Sequence, residues 1–110
     1  MPRKFELKRA TNGQFHFNFK ANNGQVILSS ELYKAKASAT NGIESVQMNA
    51  PHDDRYNRLT STKQEPYFVL KAANGEIVGT SEMYSSIQAM ENGISSVKTN
   101  APGAPTEDLS

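Results

Sequence analysis

Shifted by 51 residues the chain matches itself: residues 17–51 align with 68–102 without a gap, and sixteen of those thirty-five positions are identical. A match of that quality at one fixed offset is a duplication. The shared positions include Phe17/Phe68, Lys20-Ala21/Lys71-Ala72, Asn23-Gly24/Asn74-Gly75, Ser30-Glu31/Ser81-Glu82 and Tyr33/Tyr84. Further on they include Asn41-Gly42-Ile43/Asn92-Gly93-Ile94, Ser45-Val46/Ser96-Val97 and Asn49-Ala50-Pro51/Asn100-Ala101-Pro102. Two copies are too few for a solenoid, and a unit near fifty residues buries too little surface to stand comfortably alone. The pattern therefore predicts two units that complete one core.

Within a unit the apolar period first reads two. Phe5 and Leu7 alternate with charged residues, Phe15, Phe17 and Phe19 alternate with His16 and Asn18, and Gln25 to Ser29 is a short apolar run, which predicts three strands. A two-residue turn at Asn12-Gly13 would set Leu7 against Asn18 and mix the two faces, so a three-residue loop, Thr11 to Gly13, is expected. That loop pairs Leu7 with Phe17 and Phe5 with Phe19. For Asn23-Gly24 a two-residue turn with both residues at positive φ is expected, pairing Ala21 with Val26 and Phe19 with Leu28.

After Tyr33 the period lengthens. Ala35, Ala39, Ile43, Val46 and Ala50 fall on one helical face, as do Ser86, Met90, Ile94, Val97 and Ala101. Ser85 with Gln88 suggests a capping box for the second helix, a position where the first repeat has Lys34. Gly42 and Gly93 interrupt propensity but not phase. One continuous helix per repeat is predicted, with glycine allowing close approach to the sheet and Pro51 and Pro102 following the helix ends.

The expected fold is α+β: two tandem β-β-β-α repeats forming one antiparallel sheet of about six strands, with two helices packed on one face. Residues 1–102 are read as one domain of two pseudo-symmetric repeats, 4–51 and 55–102, and 103–110 as a flexible tail. Pro66 lacks a ladder donor, so the strand near 56–61 is expected to be short, bulged or at an edge.

The motifs K-A-x-N-G-[QE], S-E-x-Y and N-G-I-x-S-V-x-x-N-A-P, each present twice, make the chain resemble the YegP-like family of small bacterial proteins over about residues 4–102. The resemblance implies a bacterial tandem of two repeats. It implies no catalytic residue to carry over.

The composition closes several routes. Zero Cys removes disulfides, thiolate metal sites and cysteine nucleophiles, and a net charge of +1 does not mark a nucleic-acid binder. The opening Met1-Pro2-Arg3-Lys4 is followed by alternating charges rather than an apolar run, so a cytoplasmic protein without membrane contact is expected. The first half, residues 1–51, carries +4 and the second −3, a split that would help the halves, or two chains, associate, though drift among solvated surface residues accounts for it more simply.

No nucleophile–base constellation, phosphate loop or metal-ligand spacing occurs. His52-Asp53-Asp54 lacks a suitably spaced fourth ligand, and no metal, cofactor or enzymatic activity is expected. Gly13-x-Phe15-x-Phe17-x-Phe19 echoes a base-stacking strand. Its phase, shared with Leu7 and Leu28, points those rings into the core and disfavours single-stranded nucleic acid as a partner. On the opposite face, alternation collects Leu59, Tyr67, Val69 and Val78 as a candidate interaction surface for a protein partner or a second copy. A non-enzymatic binding or assembly module is the expected role.

Overall fold

Alternation and turn chemistry together set the sheet. The computed structural model describes residues 3–110, and Met1 and Pro2 of the opening segment lie outside the described residues. Strands β1 (Lys4–Arg9) and β2 (Phe15–Lys20) pair antiparallel with Leu7 opposite Phe17 and Phe5 opposite Phe19. The expected three-residue loop joins them. Ala10 N–H donates to Gln14 O at 2.7 Å, Gly13 N–H donates to Ala10 O at 3.0 Å, and Gly13 takes φ +86°.

The next turn corrects an expectation. Ala21 N–H donates to Gln25 O at 2.9 Å, so the loop is again three residues, Asn22 to Gly24. Lys20, not Ala21, faces Val26 of β3 (Val26–Ser29). A bulge then inserts Ile27 and restores Phe19 opposite Leu28. Because the bulge cancels the extra loop residue, matching of the core face could not separate the two turns. Asn23 serves through its side chain rather than through positive φ: its Oδ1 accepts from Gln25 N–H at 3.0 Å, as Asn12 does for Gln14 and Asn74 for Glu76.

The second repeat supplies β4 (Tyr56–Thr60), β5 (Pro66–Lys71) and β6 (Ile77–Ser81). β4 is a regular strand at the sheet edge. Phe68 N–H donates to Ser81 Oγ at 2.9 Å, away from β4. Pro66, two residues earlier, has its nitrogen on that same side, so its missing donor costs no bond to β4.

Helices α1 (Lys36–Asn49) and α2 (Ile87–Asn100) run unbroken through Gly42 and Gly93. The reason is steric. A Cβ on Gly42 would lie 2.7 Å from Tyr33 Oη and 2.9 Å from Phe17 Cε2, and one on Gly93 would collide with Tyr84 Oη. The glycines admit tyrosine rings that stack on the core phenylalanines, Phe17–Tyr33 at 6.4 Å and Phe68–Tyr84 at 6.2 Å between centroids.

The α2 cap is Ser86, whose Oγ accepts from Ala89 N–H at 3.0 Å, and not the expected Ser85–Gln88 box. The apolar stripe left the start uncertain by one residue. In α1 the equivalent Ala35 has the extended backbone of an N-cap and no side chain to cap with. Ala35→Ser is therefore expected to raise stability by about 1 kcal/mol, read as a shift in the urea midpoint with unchanged slope.

The sheet order is β4-β5-β6-β3-β2-β1-β7. Its centre is the antiparallel pair β3–β6, in which Ser29 faces Thr80. Those residues are 51 apart, so the pseudo-two-fold axis of the duplication passes beside them and the repeats meet as halves of one sheet. Both helices lie on the phenylalanine face. Phe5, Phe17, Phe19, Leu28, Phe68 and Leu70 join Ile43, Val46, Ile94 and Val97 in one cluster drawn from both repeats.

The sheet has seven strands and is mixed, which corrects the six antiparallel strands expected. The expected flexible tail forms β7 (Thr106–Asp108), parallel to β1. Phe5 N–H donates to Pro105 O and Leu109 N–H to Leu7 O, each at 2.8 Å. Small and acidic residues hid this strand, because its anchors are backbone groups and cations of the first repeat: Lys4 on Glu107 at 2.5 Å and Lys36 on Asp108. Among the described residues these two ion pairs join the first half to the second.

Lys36 and the Ser110 hydroxyl and amide hold the Asp108 carboxyl down at about 2. A depressed carboxylate contributes stability above its ordinary pKa and loses it as pH falls through the folded value. Between pH 4 and pH 2 the Leu109 amide is accordingly expected to lose exchange protection before the β2 amides do.

Candidate functional site

Alternation that buries one side of the sheet leaves the other without a helix, and its composition follows from the register. Across the centre of that face run Asn57, Val69, Thr80, Ser29, Asn18, Glu6 and Glu107, one residue per strand. The row is polar except for Val69. At the β1–β2 end, Glu6 is only 6% exposed, with Lys20 at 3.0 Å and Lys4 and Lys8 at 3.5 Å. Its buried Oε1 faces Lys20 and Lys8 as an ion pair without an aligned hydrogen bond. Lys20 foremost holds this carboxyl below its usual range. The sequence reading missed this cluster, although the register it predicted already sets Lys4 opposite Lys20 beside Glu6.

The candidate surface residues divide. Leu59 and Tyr67 are a cross-strand pair on the uncovered face, with Leu59 37% exposed. Val69 lies on that face between Asn57 and Thr80, outside the core cluster, and is 4% exposed. Val78 does not join them. It is the extra residue of the bulge between Leu70 and Lys71, and the break in alternation there packs it into the core.

Among the described residues β4 also bounds this surface at a free edge. β1, its equivalent at the other end, engages β7 through its outward groups, Phe5 N–H donating and Leu7 O accepting, so the equivalent outward groups of β4 belong to Tyr56, Arg58 and Thr60. Tyr56 N–H is taken by Asp53 O of a single 3₁₀ turn, Asp53–Arg55. Arg58 and Thr60 remain at the open margin.

Other candidate groups find structural partners. Asp53 accepts from Lys98 at 2.5 Å and Arg58 at 3.0 Å, which lower its pKa, and Asp54 meets Arg55 at 3.3 Å. Among the described residues no three His, Asp or Glu side chains are grouped to hold a metal ion. His16 stands opposite Lys8 on the uncovered face. Phe15, Phe17 and Phe19 are buried, so the stacking platform required by the nucleic-acid reading is closed. No helix among the described residues is long and apolar enough to cross a membrane.

The doubled serines serve the fold. Ser30 Oγ accepts from Phe17 N–H at 2.9 Å and donates to Glu31 O at 2.7 Å, and Ser81 repeats this with Phe68 and Glu82. Asn49 donates to Ser45 O at 2.8 Å and accepts from Arg55 at 3.0 Å, tying the helix end to the turn before β4.

Comparison with known proteins gives concordant matches. Residues 10–57 and 61–108 each match the family described as "Domain of unknown function (DUF1508)", at the same 51-residue offset. The chain is 55% identical to the UPF0339 protein YegP of Yersinia pestis over 96% of this chain and 94% of that one. It is 58% identical to a UPF0339 protein of Bordetella pertussis, over 94% and 93%. The solution NMR structure of a UPF0339 protein from Shewanella oneidensis superposes with a TM-score of 0.93 at 51% identity, over 99% of this chain and 92% of that one. That of yegP from E. coli does so with a TM-score of 0.93 at 46% identity, over 99% and 94%.

Proposed function

The chain belongs to the UPF0339 family, as a tandem of two DUF1508 repeats, and from that premise we propose that it is a non-enzymatic binding module whose working surface is the β4 end of the sheet. The partner is an extended segment of another protein, laid along β4 as β7 lies along β1. One observation carries the reading: two edges equivalent under the duplication are treated differently, one covered by the chain's own tail and the other left open. Strand addition at such an edge takes its affinity from main-chain hydrogen bonds, and Leu59 and Tyr67 supply apolar side chains beside it, Val69 being buried. Edge strands left open are otherwise a liability.

The test is affinity capture from a bacterial lysate with the wild type and two variants. Tyr67→Asp replaces an apolar side chain beside the edge, and Thr60→Pro removes an outward donor that makes no ladder bond. Both are expected to keep the wild-type circular dichroism and to lose the same captured protein. Capture unchanged in both variants would contradict the reading. The proposal includes a cytoplasmic setting, and recovery with the periplasmic fraction would contradict that part.

A further inference from the structure

The doubled motifs contain more identity than the fold consumes. Glu31/Glu82, Tyr33/Tyr84 and Asn41/Asn92 are the same in both repeats. Of these Asn92 has a partner within its helix, its Oδ1 accepting from Gln88 Nε2 at 3.1 Å with one lone pair left over. The tyrosine rings have a packing role, but neither Tyr33 Oη nor Tyr84 Oη makes a hydrogen bond to the described residues. By contrast Tyr56 Oη donates to Ala50 O at 2.7 Å. The carboxylates of Glu31 and Glu82 are exposed and meet no cation among the described residues.

In the second repeat these groups converge. Glu82, Tyr84 and Asn92 line a cleft of about 590 Å³ whose opposite wall is the β2–β3 hairpin of the first repeat, with Gln25 and Val26, and whose rim carries Met83. The cleft thus exists because the repeats meet. Its volume is within the range of small-molecule sites.

Exposed apolar side chains supply a second, independent observation. Met83 is 47% exposed and its equivalent Leu32 is 49%, and Ile77, the equivalent of Val26, is also 49%. Leu32 and Met83 are large apolar side chains left in water at equivalent places, each next in sequence to a glutamate without a cation among the described residues, which gives these junctions one amphipathic character. Val26 in the second-repeat cleft is half-buried where Ile77 is exposed. The first-repeat junction differs in that Glu76 replaces Gln25. There Glu31 and Ile77 line one depression and Asn41 another.

We propose that the cleft between the β2–β3 hairpin and the start of α2 binds an amphipathic organic cation. Its ammonium group sits on Glu82 within reach of Tyr84 Oη and Asn92, and its apolar body lies against Val26 and Met83. Burial and the Glu82 charge raise the Tyr84 pKa, which keeps the hydroxyl protonated and able to turn its lone pairs to the ammonium. This site is separate from the β4 edge, so either proposal can fail without the other.

The test uses the full chain labelled with ¹⁵N and titrated with n-hexylammonium chloride, with hexanol and sodium hexanoate as controls. Saturable amide shifts are expected at Glu82, Asn92 and Gln25 for the ammonium, weaker shifts for hexanol and none for hexanoate. Glu82→Gln, at an exposed position that leaves the fold intact, should weaken hexylammonium binding about fivefold, and 0.5 M salt should do likewise. Glu31→Gln should leave those shifts unchanged. Absence of cleft shifts, equal response to hexanoate, or unaltered affinity in Glu82→Gln would each overturn the proposal.

Discussion

Gly42→Ala is expected to lower stability by about 2 kcal/mol, or roughly 10 °C in Tm, opposite to the direction helix propensity dictates. Alanine in place of glycine inside a helix is ordinarily worth about 1 kcal/mol in its favour. Here the added methyl points at Phe17 Cε2, 2.9 Å away on a ring that is completely buried, stacked on Tyr33 and met edge-to-face by Phe5. The ring cannot yield without displacing the core of both neighbouring strands. Gly93→Ala is the contrasting case. Its obstruction is the outer end of Tyr84, while Phe68 Cε1 stands at 3.4 Å, so Tyr84→Ala in that background should recover most of the loss. The same rescue, Tyr33→Ala on Gly42→Ala, should recover less because Phe17 stays in place. A raised Tm for Gly42→Ala would contradict this account of the glycines.

The second large effect is at the seam between the repeats. Leu28 and Gly79 are equivalent residues flanking the pseudo-two-fold axis, and Leu28 is fully buried with both Cδ atoms 3.4 Å from where a Cβ of residue 79 would stand. There is room for one branched side chain, and the first repeat supplies it. Gly79→Leu should cost about 3 kcal/mol by overpacking. Leu28→Gly should cost about 4 kcal/mol by opening a cavity and freeing the strand backbone. The double variant exchanges the two residues across the axis and refills the same space, so its stability should return to within about 1–2 kcal/mol of the wild type. The coupling is read from a urea double-mutant cycle. Additive losses would mean that the two positions do not share one space.

The architecture was legible in the sequence wherever apolar phase alone decides it. The β1–β2 register and the continuous helices both follow from a two-faced strand and a one-faced helix. What escaped was set by backbone. The bulges at Ile27 and Val78 change the side of a residue without changing composition, which is why Val78 was expected on the surface and lies in the core. β7 escaped because Thr106, Glu107 and Asp108 carry no apolar period. Their place is fixed by main-chain bonds and by Lys4 and Lys36, more than sixty residues away in sequence.

Leu59, Tyr67 and Val69 were found on the uncovered face because β4 and β5 keep strict alternation there. The freedom of the β4 edge, in contrast, depends on where the tail goes, and no local pattern encodes that. The Glu82 cleft was equally hidden, since its two walls come from different repeats and its residues read singly as ordinary surface groups.

All of this depends on each repeat finishing the other. The most direct measurement is to express residues 1–51 and 52–110 separately and follow hydrogen exchange of the β2 and β5 amides in each half and in an equimolar mixture. Each half alone should exchange fast throughout and show no cooperative melt, and mixing should restore slow exchange to Phe17, Phe19, Phe68 and Leu70 together. Slow exchange and a cooperative transition in either half as an isolated monomer would contradict the shared core.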